Sequence, residues 1–273
     1  MTRTEVFAPA KINLTLHVTG RREDGYHLLD SLVVFADVGD VVRVAHAAEL
    51  SLRVRGPMAA GVPVDGSNLV HRAASTFGVP VAIDLDKHLP AAAGIGGGSS
   101  DAAATLKAMT ALTGAAPPID PLSLGADVPV CMLAGAARMR GIGEEVAPVR
   151  LPPLHAVLVN PGVGVSTPAV FKIMESRDNL PMPGIPDTAD GGVLIDWLAA
   201  QRNDLEAPAA QLQPVIGDVL DALRALDGPR LVRMSGSGAS CFALFDTRVG
   251  AEAEVGVMRA RHPDWWVRAC TLR

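Results

Sequence analysis

The chain has 273 residues, of which 49% are hydrophobic and 19% charged, a composition typical of one large or two modest globular domains and not of a disordered protein. The net charge of −5 argues against a nucleic-acid binder, which would show a basic face. Three cysteines without paired spacing favour a reducing cytosol and no metal cluster. Because we find no signal-peptide pattern and no apolar run of membrane-spanning length, we expect a cytoplasmic protein without membrane or nucleic-acid partners.

The segment before residue 89 contains several strand patterns and one helix pattern. Apolar and polar residues alternate from Ile12 onward, as in a half-buried strand, and Ser67 or Asn68 stands where a helix cap is expected. By pattern alone, Lys11 on the first strand is most simply a solvated lysine, and Tyr26 in the turn before the second strand caps the core. The predicted elements are strands at 6–18, 28–35, 41–44, 50–54 and 81–85, and a helix at 68–77.

A glycine-rich stretch at residues 89–103 is the feature around which the chain is organised. Glycines 94 and 96–98 run into two serines and an aspartate, so we predict a helix that begins among residues 99–101, runs to Leu112 and stops at Gly114. Free N–H groups that lead into a helix N-terminus bind anions, most often phosphate. The alternative is a flexible turn, which rarely needs four glycines, two serines and a helix start in sequence.

This stretch differs from the commoner phosphate motifs. A P-loop needs Gly-Lys, a pair that occurs nowhere in the chain, and the dinucleotide fingerprint needs glycine or alanine where Ser99 stands. The residues by themselves therefore predict a nucleotide-phosphate site of another type.

The rest of the chain predicts a second domain. Asp127 is expected to cap a short helix through Leu133 that has Pro129 in its first turn. A strand at 146–151 closes the first half, and the pair Pro152-Pro153 marks a hinge. Without its extra helices, the second half has a β-α-β-β-α-β order, which is ferredoxin-like. Its predicted elements are strands at 156–160, 230–234, 241–246 and 266–272, and helices from 168 and at 193–200, 214–226 and 250–261.

Five motifs, in order along the chain, resemble those of the GHMP kinases. They are Ala-Lys-Ile-Asn-Leu, Gly-Tyr-His, Pro-x-x-Ala-Gly-Ile-Gly-Gly-Gly-Ser-Ser-Asp-Ala-Ala, Gly-Ala-Asp-Val-Pro and Ser-Gly-Ser-Gly-Ala. Ala92 stands where the family usually has glycine, so we expect a slight difference in backbone shape where the loop begins. The resemblance implies an α+β, two-domain GHMP kinase fold. Residues 1–151 would form a ribosomal-protein-like α/β domain that binds ATP and carries the catalytic groups, and residues 152–273 the ferredoxin-like C-terminal domain.

The same resemblance implies ATP-dependent phosphorylation of the 2-hydroxyl of 4-diphosphocytidyl-2-C-methyl-D-erythritol in the non-mevalonate isoprenoid pathway, with Mg²⁺ on the ATP phosphates. Asp127 would accept or orient the hydroxyl proton, and Lys11 would favour the ionised carboxylate. Tyr26, His27 and Phe171 would hold cytosine, although Phe171 is as readily a core residue. The full implied set is catalytic Lys11 and Asp127; cofactor-binding Asn68, Pro90, Ala91, Ala92, Ala93, Gly94, Ile95, Gly96, Gly97, Gly98, Ser99 and Ser100; and substrate-binding Asn13, Tyr26, His27, Phe171, Gly236, Ser237 and Gly238.

No protein ligand for a metal is assigned, and a monomer or weak homodimer is expected. The alternatives are another GHMP kinase, acting on homoserine or a mevalonate-type alcohol, which would have no use for Tyr26 and His27, and a nucleotide-binding regulatory or structural protein with a dead site. Retention of both Lys11 and Asp127 argues against the second. A Rossmann oxidoreductase is the weakest candidate.

Overall fold

The computed structural model describes residues 3–273. Its strands are β1 (Arg3–Asn13), β2 (His17–Arg21), β3 (His27–His46), β4 (Ser51–Arg55), β5 (Val81–Asp86), β6 (Ala137–Gly141), β7 (Glu145–Pro148), β8 (Leu154–Asn160), β9 (Leu231–Met234), β10 (Cys241–Phe245) and β11 (Trp266–Leu272). Its α-helices are α1 (Leu69–Ser75), α2 (Gly97–Thr113), α3 (Val128–Leu133), α4 (Thr167–Ile173), α5 (Gly191–Ala199), α6 (Glu206–Leu212), α7 (Val215–Arg224) and α8 (Arg248–Arg261). None of the helices within residues 3–273 has the length and apolar character needed to cross a membrane.

The chain divides into two compact units, each assembled from several segments. The first unit contains the described residues up to Lys11 together with Val38–Ala91 and Gly96–Ala134, and the second contains Ile12–Asp37, Ala92–Ile95 and Gly135–Arg273. The predicted domain boundary between residues 151 and 152 stays a prediction.

In the first unit, helices α1 and α2 cover a layer of strands. Residues 41–46 of β3 pair antiparallel with β5, and β4 lies parallel to β5. The apolar side chains of these strands, such as Val42 and Ile83, pack with Ala104 and Met109 of α2 in one buried cluster. Asn68 caps α1 as predicted, because its Oδ1 accepts a hydrogen bond of 2.9 Å from the N–H of Val70.

In the second unit, strands β8 to β11 form an antiparallel sheet in the order β11-β8-β10-β9. With α7 between β8 and β9 and α8 between β10 and β11, this is the predicted ferredoxin-like arrangement. Helix α7 turns a stripe at helical spacing, Ile216, Val219, Leu220 and Leu223, into the core. Residues 27–33 of β3 pair with β2 and β6 in the same unit, and Ala36 pairs with Leu272 of β11.

The start of α2 was predicted two to four residues too late. The helix begins at Gly97, and its N-cap is Gly96 in the left-handed conformation, with φ of +61°. Glycine can adopt this conformation without the steric penalty of a Cβ, so the turn into the helix needs no serine or aspartate side chain as its cap. The predicted stop at Gly114 is confirmed, since this residue is the left-handed C-cap.

Several strand boundaries also differ from the prediction. The strands expected at 28–35 and 41–44 are one strand of 20 residues, β3. Gly39 suggests a turn in the sequence, but the strand continues through it. Glycine is needed there because a Cβ would lie 2.3 Å from the carbonyl oxygen of Ala8. The strand expected at 6–18 ends at Asn13, and β2 begins separately at His17. Strand β6 and helix α6 were not predicted.

Candidate active site

Lys11 and Asp127 form a close ion pair in the first unit. The Nζ of Lys11 lies 2.7 Å from Oδ1 of Asp127, with 5% of the lysine side chain and 31% of the aspartate side chain exposed. Asp127 directly precedes α3, but its side chain makes no hydrogen bond to the helix N-terminus. The carboxylate is therefore directed to the lysine, and the predicted capping hydrogen bond is absent.

The N-terminus of α2 lies against the same lysine. A Cβ added to Gly96 would come within 3.0 Å of the Cβ of Lys11 and 3.3 Å of its Cε, so glycine leaves room for the lysine side chain. The first N–H groups of α2, a helix of 17 residues, have no partner within the helix and carry the positive end of its dipole. This arrangement brings a lysine, a carboxylate and an anion-binding helix terminus together.

The glycine-rich loop at residues 89–100 has an exposed part and a buried part. Ala91, Ala92 and Gly98 are exposed and Ser99 is half-buried, so these positions can meet a ligand. Pro90, Ala93, Ile95, Gly97 and Ser100 are buried and hold the loop in place. Asn68 is engaged by its cap and by a 2.7 Å hydrogen bond from its Nδ2 to the carbonyl of Pro63. Its neighbour Leu69 lies under Gly98, where an added Cβ would be 3.8 Å from the leucine Cδ1.

A buried charge cluster supports the start of the loop from below. The ammonium of Lys87 donates to Asp40 and, at 2.8 Å, to Oδ2 of Asp101, and all three side chains are at most 4% exposed. The other oxygen of Asp40 accepts from the N–H groups of His88 and Leu89 at 2.5 and 2.8 Å. Strand β3, the residues before the loop and the first turns of α2 are thereby fastened together.

Burial governs the electrostatics of this cluster. It raises the pKa of Asp101 to about 7 against the opposing effect of Lys87, and Asp40 raises it further. Burial alone would lower the pKa of Lys87, but the two carboxylates outweigh it and the pKa is raised. Lys87 therefore remains charged at neutral pH, while Asp101 titrates near neutrality.

In the second unit, residues 92–95 of the loop pack on the Ser-Gly-Ser-Gly segment. Ser235 donates a 3.0 Å hydrogen bond from Oγ to the carbonyl of Gly94. A Cβ on Gly94 would lie 2.6–2.7 Å from backbone atoms of Ser235 and Gly238, and one on Gly236 would lie 2.8 Å from the carbonyl oxygen of Gly94. Only glycines permit this approach, and φ at Gly94 is +71°.

Ala92 retains a glycine-type backbone. Its φ is +50°, in the left-handed region, where an L-residue pays roughly 1–2 kcal/mol. We expected alanine at this position to change the backbone shape, but φ of Ala92 is positive, as it commonly is for glycine. The surrounding loop holds an alanine in the strained conformation instead.

Asn13 lies at the end of β1 beside the same segment. It is 1% exposed, its backbone N–H donates to Oγ of Ser235 at 3.1 Å, and its Nδ2 donates to Oγ of Ser31 at 2.8 Å. Its Oδ1 is buried and has no hydrogen-bond partner in the described part of the chain. Such an atom is an acceptor available to a ligand.

His27 and Phe171 form an aromatic pair in the second unit. Their rings stack with centroids 4.2 Å apart and planes 8° from parallel. Burial, followed by the charges of Arg21 and Arg177, lowers the pKa of His27, so the imidazole is neutral at pH 7. Its Nε2 is buried and has no hydrogen-bond partner among residues 3–273. Tyr26, in contrast, is 61% exposed.

Comparisons with known proteins decide the family. The model for the GHMP kinases N terminal domain matches residues 68–136, and the model for the GHMP kinases C terminal domain matches residues 186–264. A 4-diphosphocytidyl-2-C-methyl-D-erythritol kinase of Dinoroseobacter shibae is 57% identical over 270 residues, covering 98% of this chain and 94% of the relative. The chain belongs to this kinase family.

Two further comparisons agree. A 4-diphosphocytidyl-2-C-methyl-D-erythritol kinase of Cereibacter sphaeroides is 56% identical over 275 residues, covering 98% of this chain and 99% of the relative. The crystal structure of a 4-(cytidine 5'-diphospho)-2C-methyl-D-erythritol kinase superposes with a TM-score of 0.81 at 38% identity, covering 98% of each chain. The resemblance drawn from the five motifs and the two-domain GHMP kinase fold are confirmed.

The buried cluster was missed by the sequence analysis. Lys87 offered one signal, since it is one of only four lysines in the chain and comes directly before the glycine-rich stretch. Asp101 was considered only as a helix cap. Asp40 lies 47 residues before Lys87, and no local pattern connects the two. Ser31, which contacts Asn13, likewise has no signal in its own segment. Ser235 begins the Ser-Gly-Ser-Gly-Ala motif, but that motif does not indicate its contact with Asn13.

Proposed function

We propose that this chain transfers the γ-phosphoryl group of ATP to the 2-hydroxyl of 4-diphosphocytidyl-2-C-methyl-D-erythritol, in the non-mevalonate isoprenoid pathway. The names of relatives at 56–57% identity over nearly the whole chain support the reaction and the substrate. The single observation of the structure that carries the chemistry is the 2.7 Å contact of Lys11 with Asp127 beside the glycine N-cap of α2.

The residues of the first unit suit phosphoryl transfer, which depends on positioning and on stabilisation of negative charge more than on covalent chemistry by the protein. Asp127 is partly exposed and accepts or orients the proton of the attacking hydroxyl. Lys11 holds this carboxylate and offsets charge that develops on the attacking oxygen. The N–H groups at residues 97–99 face the phosphates with the positive end of the α2 dipole.

ATP and Mg²⁺ are the expected cosubstrate and metal. The exposed backbone at Gly98 and the half-buried Ser99, at a helix N-terminus, fit an anionic phosphate chain. Within residues 3–273, no group of three or more histidine, cysteine or acidic side chains is arranged to hold a metal ion. Mg²⁺ would be bound by the phosphate oxygens of the nucleotide, where it would neutralise charge.

The second unit supplies groups for the cytidyl end. The stacked pair of His27 and Phe171 offers an aromatic surface, and a base stacked on such a surface gains roughly 1–3 kcal/mol. The neutral imidazole has a buried Nε2 without a hydrogen-bond partner in the described residues, and this atom can pair with a polar edge of cytosine. The exposed ring of Tyr26 is free to close on the base. A cytoplasmic location and a monomeric or weakly dimeric state stay predictions.

The reaction is tested by ADP release from ATP and Mg²⁺ with 4-diphosphocytidyl-2-C-methyl-D-erythritol, homoserine and mevalonate in parallel. Turnover with the cytidyl compound alone is expected. Turnover with homoserine or mevalonate alone would keep the kinase and refute the cytidine site. ATP binding without turnover of any alcohol would favour a non-catalytic nucleotide-binding protein.

The role of Asp127 is tested by Asp127→Asn. The variant removes the base, so kcat is expected to fall by about 10²–10⁴-fold. The asparagine oxygen can still accept from Lys11, and no capping bond is lost, so the melting temperature should change little. Asp120→Asn is the matched control, because Asp120 caps the 3-10 helix at residues 121–124 and is exposed. Full turnover by Asp127→Asn would refute the catalytic role.

A further inference from the structure

The amide of Asn13 is held by a fully buried serine on the neighbouring strand. Ser31 is 0% exposed and lies between Asn13 and the backbone carbonyl of Thr15. Its Oγ receives the 2.8 Å hydrogen bond from Nδ2 of Asn13 and donates one of 2.5 Å to the oxygen of Thr15. The chain thus builds a short hydrogen-bond relay from the backbone of residue 15 to the amide of residue 13.

This relay fixes which end of the Asn13 amide, the NH₂ group or Oδ1, faces Ser31. A serine hydroxyl has one proton, and the carbonyl of Thr15 can only accept, so the proton of Ser31 is committed to that carbonyl. Ser31 can then meet Asn13 only as an acceptor, which requires the NH₂ group of the amide. The carbonyl of Thr15 is itself held in place, because Leu14 donates its N–H to Leu32 at 2.8 Å and Leu32 donates to Oγ1 of Thr15 at 2.9 Å.

The consequence is a buried acceptor that points away from Ser31. Oδ1 of Asn13 has no hydrogen-bond partner in the described part of the chain. It lies 3.3 Å from the point that a Cβ of Gly236 would occupy, and the carbonyl oxygen of Gly94 lies 2.8 Å from the same point. A buried acceptor without a donor destabilises the folded state, and a ligand that donates to it relieves this cost. The carbonyl of Gly94 already accepts a hydrogen bond from Ser235, so Oδ1 is the acceptor that remains for a ligand that brings a hydroxyl proton.

We propose that Ser31 is a positioning residue for the alcohol substrate. By holding the NH₂ end of Asn13, it keeps Oδ1 oriented to accept a hydrogen bond from a hydroxyl group of the methylerythritol part. This inference rests on the proposed function only for the identity of the hydroxyl donor. The orientation of the amide follows from contacts within the protein alone.

The variant Ser31→Ala tests the proposal, with Ser240→Ala as the matched control. Ser240 receives a 2.9 Å hydrogen bond from Nδ2 of Asn160, and both residues are 1% exposed, so each variant deletes one buried asparagine–serine contact. Similar losses in melting temperature are therefore expected. Only Ser31→Ala frees the amide of Asn13 to turn its NH₂ group toward the ligand.

The first readout is hydrogen exchange of the Asn13 side-chain amide in the free protein, followed by NMR and assigned by the signals lost in Asn13→Asp. We expect the Asn13 amide to be protected from exchange in the native chain and in Ser240→Ala. We expect this protection to be lost in Ser31→Ala. An unprotected amide in the native chain, or protection that survives in Ser31→Ala, would overturn the proposal. Because no substrate is needed, this outcome is independent of the enzyme's activity.

The second readout is steady-state kinetics. In Ser31→Ala, KM for the cytidyl alcohol is expected to rise roughly tenfold, the effect of losing one substrate hydrogen bond, while KM for ATP and kcat stay within about twofold. An analogue that lacks the contacting hydroxyl should be used equally well by the native chain and Ser31→Ala. Equal KM values for Ser31→Ala and Ser240→Ala, in an enzyme active on the cytidyl alcohol, would refute the positioning role and leave the proposed function intact.

Discussion

The variant Lys87→Met tests how much the buried cluster of Lys87, Asp40 and Asp101, next to the glycine-rich loop, stabilises the fold. Methionine keeps much of the side-chain volume and removes the ammonium, so Asp101 loses the hydrogen bond to Oδ2 while its Oδ1 already has no partner within residues 3–273. Asp40 keeps two backbone donors. Removing one member of a buried ion pair costs about 3–5 kcal/mol. At about 2–4 °C per kcal/mol for a chain of this size, the melting temperature should fall by roughly 6–20 °C at pH 7.5.

The pH dependence gives the same prediction a second check. Without the ammonium, the pKa of Asp101 in the folded state rises further above its unfolded value, so the folded variant binds more protons than the unfolded chain. Acidification from pH 7.5 to 5.5 then stabilises the variant more than the native chain, and the difference in melting temperature narrows. Calorimetry at several pH values measures it, with the exposed Lys172→Met as control. The reasoning would be refuted if the melting temperature fell by less than about 2 °C at pH 7.5. A difference in melting temperature between variant and native chain that widens on acidification would also refute it.

Two further predictions concern stability. Gly94→Ala should lower the free energy of unfolding in urea by about 2–5 kcal/mol, because the added Cβ would meet the backbone of residues 235–238 at a φ of +71°. Gly256→Ala, on the open face of α8, should raise it by about 0.5–1 kcal/mol. Equal effects of the two variants would contradict the packing argument. Burial, and next the charge of Arg202, lowers the pKa of His17, so the unfolded chain binds more protons below pH 6.5 and stability falls there. As the pH falls from 7.5 to 5.5, the melting temperature of His17→Leu should therefore rise relative to that of the native chain. Parallel curves of melting temperature against pH would refute this prediction.

The sequence predicted the features that depend on neighbours along the chain. The cap of α1 at Asn68, the stop of α2 at Gly114 and the presence of helix α7 each need only a few adjacent residues. The ferredoxin-like order follows from the succession of such elements. The five motifs were sufficient to predict the family. Lys11 and Asp127 form an ion pair, and their catalytic roles stay a prediction.

What the sequence did not predict depends on contacts between distant segments. Gly39 resembles a break between two strands, and only the close backbone of Ala8 explains why one continuous strand passes through it. The serine cap expected for α2 was replaced by glycine backbone geometry, which competes with side-chain capping at that position. Ser31 acquires a role only through its contact with Asn13, 18 residues away. Composition and periodicity contain none of these distances.

The pairing of Ala36 with Leu272 has a consequence for biosynthesis. The two residues are separated by most of the chain, and Phe35 and Arg273 exchange backbone hydrogen bonds of 2.8 and 2.9 Å beside them. All residues of the first unit have been made once Ala134 is added, about 140 residues before β11 is complete. At about 5–20 residues per second, Phe35 and Ala36 of β3 remain without that partner for roughly 7–30 s during translation. During this interval their backbone groups are open to other chains, so slow translation or loss of β11 should make the nascent protein more dependent on chaperones.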